Sequence, residues 1–150
     1  MRPEETFDFQ IRKGWISLSK MYNDIVQPFG LTTAVGFALL NIDVKKGTPS
    51  TALGPKMGME STSLSRVLKS MEAQGLITRE ANPADKRSVL IKLTEDGLKK
   101  RTISRKAVID FNKAVLDEVS DRERKIFFDT LEKIQSVTAN VRSLNVDNVK

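Results

Sequence analysis

Apolar residues recur every three or four positions along the start of the chain. Phe7, Ile11, Trp15, Leu18, Tyr22 and Ile25 predict a helix over residues 6–27, with Gly14 as its weak point. Pro28 and Gly30 punctuate the stretch "QPFGLT", and Thr32 is placed to cap a second helix reaching about Val44. "KKGTP" over residues 45–49 reads as a turn, with Pro49 as the first residue of a short third helix. After a break at "MGMES" (57–61), Leu64, Val67, Leu68 and Met71 form the single stripe of a fourth helix, from about Thr62 to Gln74, which Gly75 stops. The period then changes. "LITRE" (76–80) and "SVLIKL" (88–93) read as strands on either side of the polar turn "ANPADKR". Thr94 caps a long helix to about Glu118, with Glu95 and Asp96 in the first turn, where the helix dipole favours anions. Ser120 and Glu123 form a capping box for a last helix, whose stripe is Ile126, Phe127, Leu131, Ile134, Val137 and Val141. The tail after Leu144 is expected to fray.

This order predicts a mainly α protein with a small β-hairpin. Its 150 residues suffice for one domain with a core. Within it, residues 32–98 have the winged helix-turn-helix arrangement, the short third and the fourth helix making the turn motif and residues 81–88 the wing.

Composition removes several chemistries. With no cysteine there is no disulfide, thiolate metal site or cysteine nucleophile, and with no histidine there is no Ser-His-Asp triad. No metal or other cofactor is expected. The net charge of +6 is compatible with a polyanionic partner, and its distribution says more. Residues 51–101 hold 10 Lys and Arg against 6 Asp and Glu, while the rest of the chain holds 15 against 13. The opening "MRPEETFDFQ" has no apolar signal segment and no run approaches a membrane span, so a cytosolic protein is expected.

The central stretch carries the candidate chemistry. A helix that reads a DNA major groove must approach closely, and small hydroxylated residues at its first turn permit that. Thr62, Ser63 and Ser65 fit this role, Ser61 is the expected N-cap, and Arg66 and Lys69 are placed to hold phosphates. A hairpin tip can enter a minor groove, whose negative potential attracts arginine. Arg87 is the candidate for insertion, Asp85 for orienting it through a charge-assisted bond, and Lys86 for the DNA backbone. Each feature alone has a plainer reading, as a cap or a solvated face. Their order and spacing are what make the set specific.

These residues resemble the MarR family of bacterial transcriptional regulators. The likeness covers about 70 residues, from Leu31 to Lys100. The family's run of hydroxyl residues followed by arginine falls on Thr62, Ser63, Ser65 and Arg66. Its acidic-x-x-Gly-Leu-Ile falls on Glu72 to Ile77, its Asp-x-Arg wing on Asp85 and Arg87, and its Leu-Thr-x-x-Gly on Leu93, Thr94 and Gly97. The resemblance implies a homodimer in which the flanking regions, 1–30 and 99–145, interlock and the two winged regions reach successive half-sites of a pseudo-palindromic operator. The residues support this independently: Phe7, Phe9, Phe111, Val115, Phe127, Phe128 and Leu131 are more apolar surface than two isolated helices can hide. The expected function is a sequence-specific regulator of transcription, a repressor on double-stranded DNA.

Many members of this family release DNA when a small aromatic compound binds. Others sense oxidation through cysteine or zinc through histidine, and this chain is unlike those. Trp15, Met21, Tyr22 and Phe37 are candidates for an effector pocket, although side chains of this kind more often serve a core. One departure from the family pattern is Gly54-Pro55. An interior proline removes a helix hydrogen bond, so the third helix is expected to be short or kinked. A winged-helix protein-interaction module that does not bind DNA is the alternative. An enzyme is not expected: no two carboxylates fall in a predicted cleft, and "GPKMGMEST" lacks the Gly-Lys-Ser/Thr of a phosphate loop.

Overall fold

The computed structural model describes residues 1–140, so Val141 of the last stripe and the tail after Leu144 lie outside the described residues. The elements are α1 (Phe7–Val26), α2 (Thr33–Asn41), β1 (Thr48–Pro49), α3 (Ser50–Met57), α4 (Ser61–Ala73), β2 (Ile77–Ala81), β3 (Val89–Leu93), α5 (Glu95–Glu118) and α6 (Asp121–Ala139). One-turn 3-10 helices precede α1 and follow it. The chain divides into two compact units, Met1–Ile109 and a second that begins at Asp110.

Local chemistry sets most of the boundaries. The Thr32 hydroxyl accepts from the Val35 amide at 3.3 Å and starts α2. The Thr94 hydroxyl accepts from the Gly97 amide at 3.0 Å and starts α5. Ser120 and Glu123 form the expected reciprocal box at α6, with the Ser120 amide donating to the Glu123 carboxylate at 2.8 Å. Such a cap contributes about 1 kcal/mol. The core of the first unit is built from Leu39, Ile42, Leu53, Met71 and Ile91, which come from α2 and the residue after it, α3, α4 and β3. Burying each of these contributes about 1.5–3 kcal/mol.

The segment before α3 departs from the expected turn. α2 stops at Asn41, three residues early, because Ile42 turns extended (ψ 126°) and enters the core. Asp43 then holds the next bend: its carboxylate accepts from the Lys46 amide at 2.7 Å and the Lys45 amide at 2.8 Å. Those amides, Lys46 first, keep the carboxyl below the usual aspartate range. Gly47 follows at φ +73°, and a Cβ there would meet the Ile91 carbonyl oxygen at 2.8 Å. Thr48 and Pro49 next pair with Ile91 and Leu90, so the sheet is three-stranded and antiparallel, in the order β1-β3-β2. Pro49 therefore ends a strand, and α3 starts one residue later than expected. A two-residue strand shows no alternation of its own; it exists because β3 offers it partners.

The stripe of α1 is amphipathic as expected, but only Tyr22 and Val26 of that helix are buried. Phe7, Ile11, Trp15 and Ile25 are exposed, Phe7 by 68%. In the second unit no residue of α6 is buried, and Phe127 and Phe128 are 58% and 59% exposed. Among the described residues, no helix is long and apolar enough to cross a membrane.

Candidate nucleic-acid interface

Helix α4 buries Leu64, Leu68 and Met71. At about 100° per residue, Thr62, Arg66 and Lys69 then point directly away from that stripe, with Ser63 and Ser65 on its flanks. All five are exposed, as is Ser61. The N-cap is Glu60 rather than the expected Ser61, which is the first helical residue. The preceding turn decides this. Gly58 adopts φ +60°, the Met59 amide bonds to the Gly54 carbonyl at 3.0 Å, and the chain reaches Glu60 already extended. The Glu60 side chain makes no capping bond, so no N-cap side chain occupies the first-turn amides of α4, which suit a phosphate oxygen.

Helix α3 explains the Gly54-Pro55 departure. It has eight residues and is short as expected, with Pro55 inside it. A Cβ on Gly54 would lie 3.1 Å from the Met59 carbonyl oxygen, close enough that the turn would have to give, so glycine lets it close against α3. Proline removes the donor that the Thr51 carbonyl would otherwise receive, and Thr51 is exposed, where water can replace it.

The wing tip is Pro83 to Arg87, exposed throughout and bracketed by buried Asn82 and Ser88. Strand register ends at Ala81 opposite Val89. Asp85 does not take the expected role. Its Oδ1 accepts from the backbone amide of Arg87 at 2.9 Å, and it forms no ion pair with the Arg87 guanidinium. A short carboxylate two residues before an amide closes an Asx turn more readily than it reaches a side chain on the same loop. If the wing meets duplex DNA, Asp85→Asn, which keeps that acceptor, is expected to bind it at least as tightly as the native protein, while Asp85→Ala weakens it. A competition titration of both variants decides between a turn-forming role and a charge role.

Charge pairing separates the cations of this region. Arg79 pairs with Glu72 at 3.0 Å, Lys92 with Glu80 at 2.7 Å and Lys99 with Glu95 at 3.0 Å, and the Lys100 ammonium donates to the Phe29 carbonyl. Lys56, Arg66, Lys69, Lys86 and Arg87, on α3, α4 and the wing tip, are exposed and make no ion pair with any described residue. Arg101, further along α5, is also without one. The Lys56 charge acts on the Asp43 carboxylate and is one of the causes that hold that carboxyl low, which sets Lys56 apart from the four cations of α4 and the wing tip.

The four residues considered for an effector pocket are not all brought together. Trp15 stacks on Phe37 with centroids 5.9 Å apart, and Tyr22 meets Phe37 edge-on at 6.0 Å. Tyr22 and Phe37 line a cavity of about 10 Å³ with Val26, Gly36 and Ser104, room for about one water; Trp15 and Met21 do not line it. Among the described residues, no cluster of three metal-ligating side chains occurs.

A short helix, a second helix with its outward face bare and a three-stranded wing define a winged helix-turn-helix protein. A family model described as the MarR family matches residues 31–89, and the chain belongs to that family. It is 34% identical over 97 residues to an organic hydroperoxide resistance transcriptional regulator of Bacillus subtilis, covering 65% of this chain and 66% of that protein. It is 31% identical over 91 residues to an uncharacterized HTH-type transcriptional regulator of the same organism, YdgJ, covering 61% and 56%. The matched stretch thus spans less than two thirds of the length of either relative. In fold it resembles S. aureus MepR, whose structure is a DNA complex, with a TM-score of 0.80 at 19% identity, covering 87% of this chain and 97% of that one.

Proposed function

We propose that the protein is a sequence-specific, DNA-binding regulator of transcription that works as a homodimer, and that it represses by occupying promoter DNA. The observation that carries this reading is the segregation of charge. Arg66 and Lys69 of α4 and Lys86 and Arg87 of the wing tip make no ion pair with any described residue, while the cations on β2, β3 and the start of α5 are bonded. Unpaired cations beside a bare helix face and first-turn hydroxyls are what a phosphate backbone and a major groove require. In this reading Thr62, Ser63 and Ser65 meet base edges, Arg66 and Lys69 set the register on phosphates, and Arg87 enters the minor groove beside Lys86. Exposed apolar side chains on α1, α5 and α6 would be covered by the second protomer. A small aromatic effector would have to move Tyr22 or Phe37 aside, because the cavity between them holds no more than a water.

Four cations of each protomer, Arg66, Lys69, Lys86 and Arg87, set an upper bound of roughly −7 on the slope of log affinity against log salt for a dimer on duplex DNA. Arg87→Ala is expected to weaken binding on all sequences and to reduce the slope by about 1 for each protomer. A slope that does not change on this substitution removes Arg87 from the interface. Binding of a protein partner by the native chain, with no salt-dependent DNA affinity, would favour the interaction-module reading instead.

A further inference from the structure

The wing holds a pair of buried polar side chains that the DNA reading does not use. Asn82 and Ser88 are 7% and 6% exposed, while the five residues between them are all exposed. The Asn82 amide nitrogen donates to the Ser88 hydroxyl oxygen at 2.9 Å, across the neck of the loop and one step beyond the last paired residues, Ala81 and Val89. The Asn82 side-chain oxygen, Oδ1, accepts from the Ala84 backbone amide at 3.1 Å. Ser88 closes the other side: its amide donates to the Asp85 carbonyl at 3.1 Å, and its hydroxyl donates to the same oxygen at 3.3 Å. Burying an amide and a hydroxyl is costly unless both are bonded, and an apolar pair would pack the neck more simply. Here both are bonded, and every bond they make constrains the backbone of the tip.

We propose that Asn82 and Ser88 are positioning residues: a buried clasp that presets the wing tip so that Lys86 and Arg87 reach DNA without first ordering the loop. This rests on the DNA-binding reading. Without the clasp the tip still carries its cations but must be ordered at each encounter, which weakens binding without removing a contact. Affinity and salt slope therefore separate the clasp from the contacts it serves.

The test is a double-mutant cycle on duplex DNA with the full chain: native, Asn82→Ala, Arg87→Ala and the double variant, each titrated at several salt concentrations. Thermal melting runs alongside, and Ser88→Ala replaces Asn82→Ala if the latter does not fold. Asn82→Ala is expected to weaken binding roughly threefold to tenfold with the salt slope unchanged, and to cost less in the Arg87→Ala background, where Lys86 alone is left for the clasp to place. Equal losses in both backgrounds, or a slope that falls with Asn82→Ala, would overturn the clasp while leaving DNA binding intact. Failure of the native chain to bind DNA would overturn the reading beneath it as well.

Discussion

Gly97→Ala is expected to destabilise the first unit by more than about 3 kcal/mol, although on helix propensity alone alanine is the better residue by about 1 kcal/mol. Gly97 lies in the first turn of α5 and is buried. A Cβ there would stand 2.0 Å from the Leu76 carbonyl oxygen and 3.1 Å from its carbon. Neither atom is the end of a flexible side chain, so α5 and the start of β2 must part. The same junction holds two bonds that separation would break or lengthen, and a third that caps α5 through the same threonine. The Thr94 amide donates to Leu76 O at 3.1 Å, the Thr94 hydroxyl to Gly75 O at 2.6 Å, and the Gly97 amide to the Thr94 hydroxyl at 3.0 Å. Packing therefore outweighs propensity. Thermal or denaturant unfolding checks this, with Asp96→Ala, exposed one residue earlier, as a control expected to shift stability by less than about 1 kcal/mol. A Gly97→Ala protein as stable as the control would mean that the α5–β2 approach is looser than the structure has it.

The second large effect is expected in the helical flanks. Phe127 and Phe128 are more than half exposed, with their rings 5.8 Å apart, and Val115, Leu116, Ile126 and Val137 are exposed in the same unit. Replacing both phenylalanines by aspartate puts two charges where the proposed dimer buries aromatic surface, and is expected to give a monomer by sedimentation. Because each protomer would then grip a single half-site, affinity for a full operator should fall by about 10² to 10⁴. A double variant that remains a dimer would place the interface elsewhere on the chain.

Much of this organisation was legible in the residues, and the misses share a cause. Thr32, Thr94 and the Ser120–Glu123 box were readable because capping is settled within four residues of chain. Leu64, Leu68 and Met71 were readable because one face of α4 packs on the core of its own chain. By contrast, Thr48–Pro49 becomes a strand only beside β3, forty residues later, and Glu60 becomes the cap only because Gly54 draws Met59 close. The Asn82–Ser88 bond needs the register of β2 on β3 before the two residues are known to face each other. Asp85 was rightly placed on the wing, but whether a carboxylate turns toward an amide or a guanidinium is a matter of loop geometry. Phe7 and Ile11 showed a helix with an apolar face without showing what that face meets, and a single chain leaves both exposed.

The central claim is tested most directly by selecting sequences from a random duplex pool with the native protein and titrating the recovered duplex against random DNA over a range of salt. The account predicts a pseudo-palindrome, bound far more tightly than random sequence, with log affinity falling linearly on log salt at a slope no steeper than roughly −7. Recovery of no common sequence, with the same weak affinity for every duplex, would contradict it.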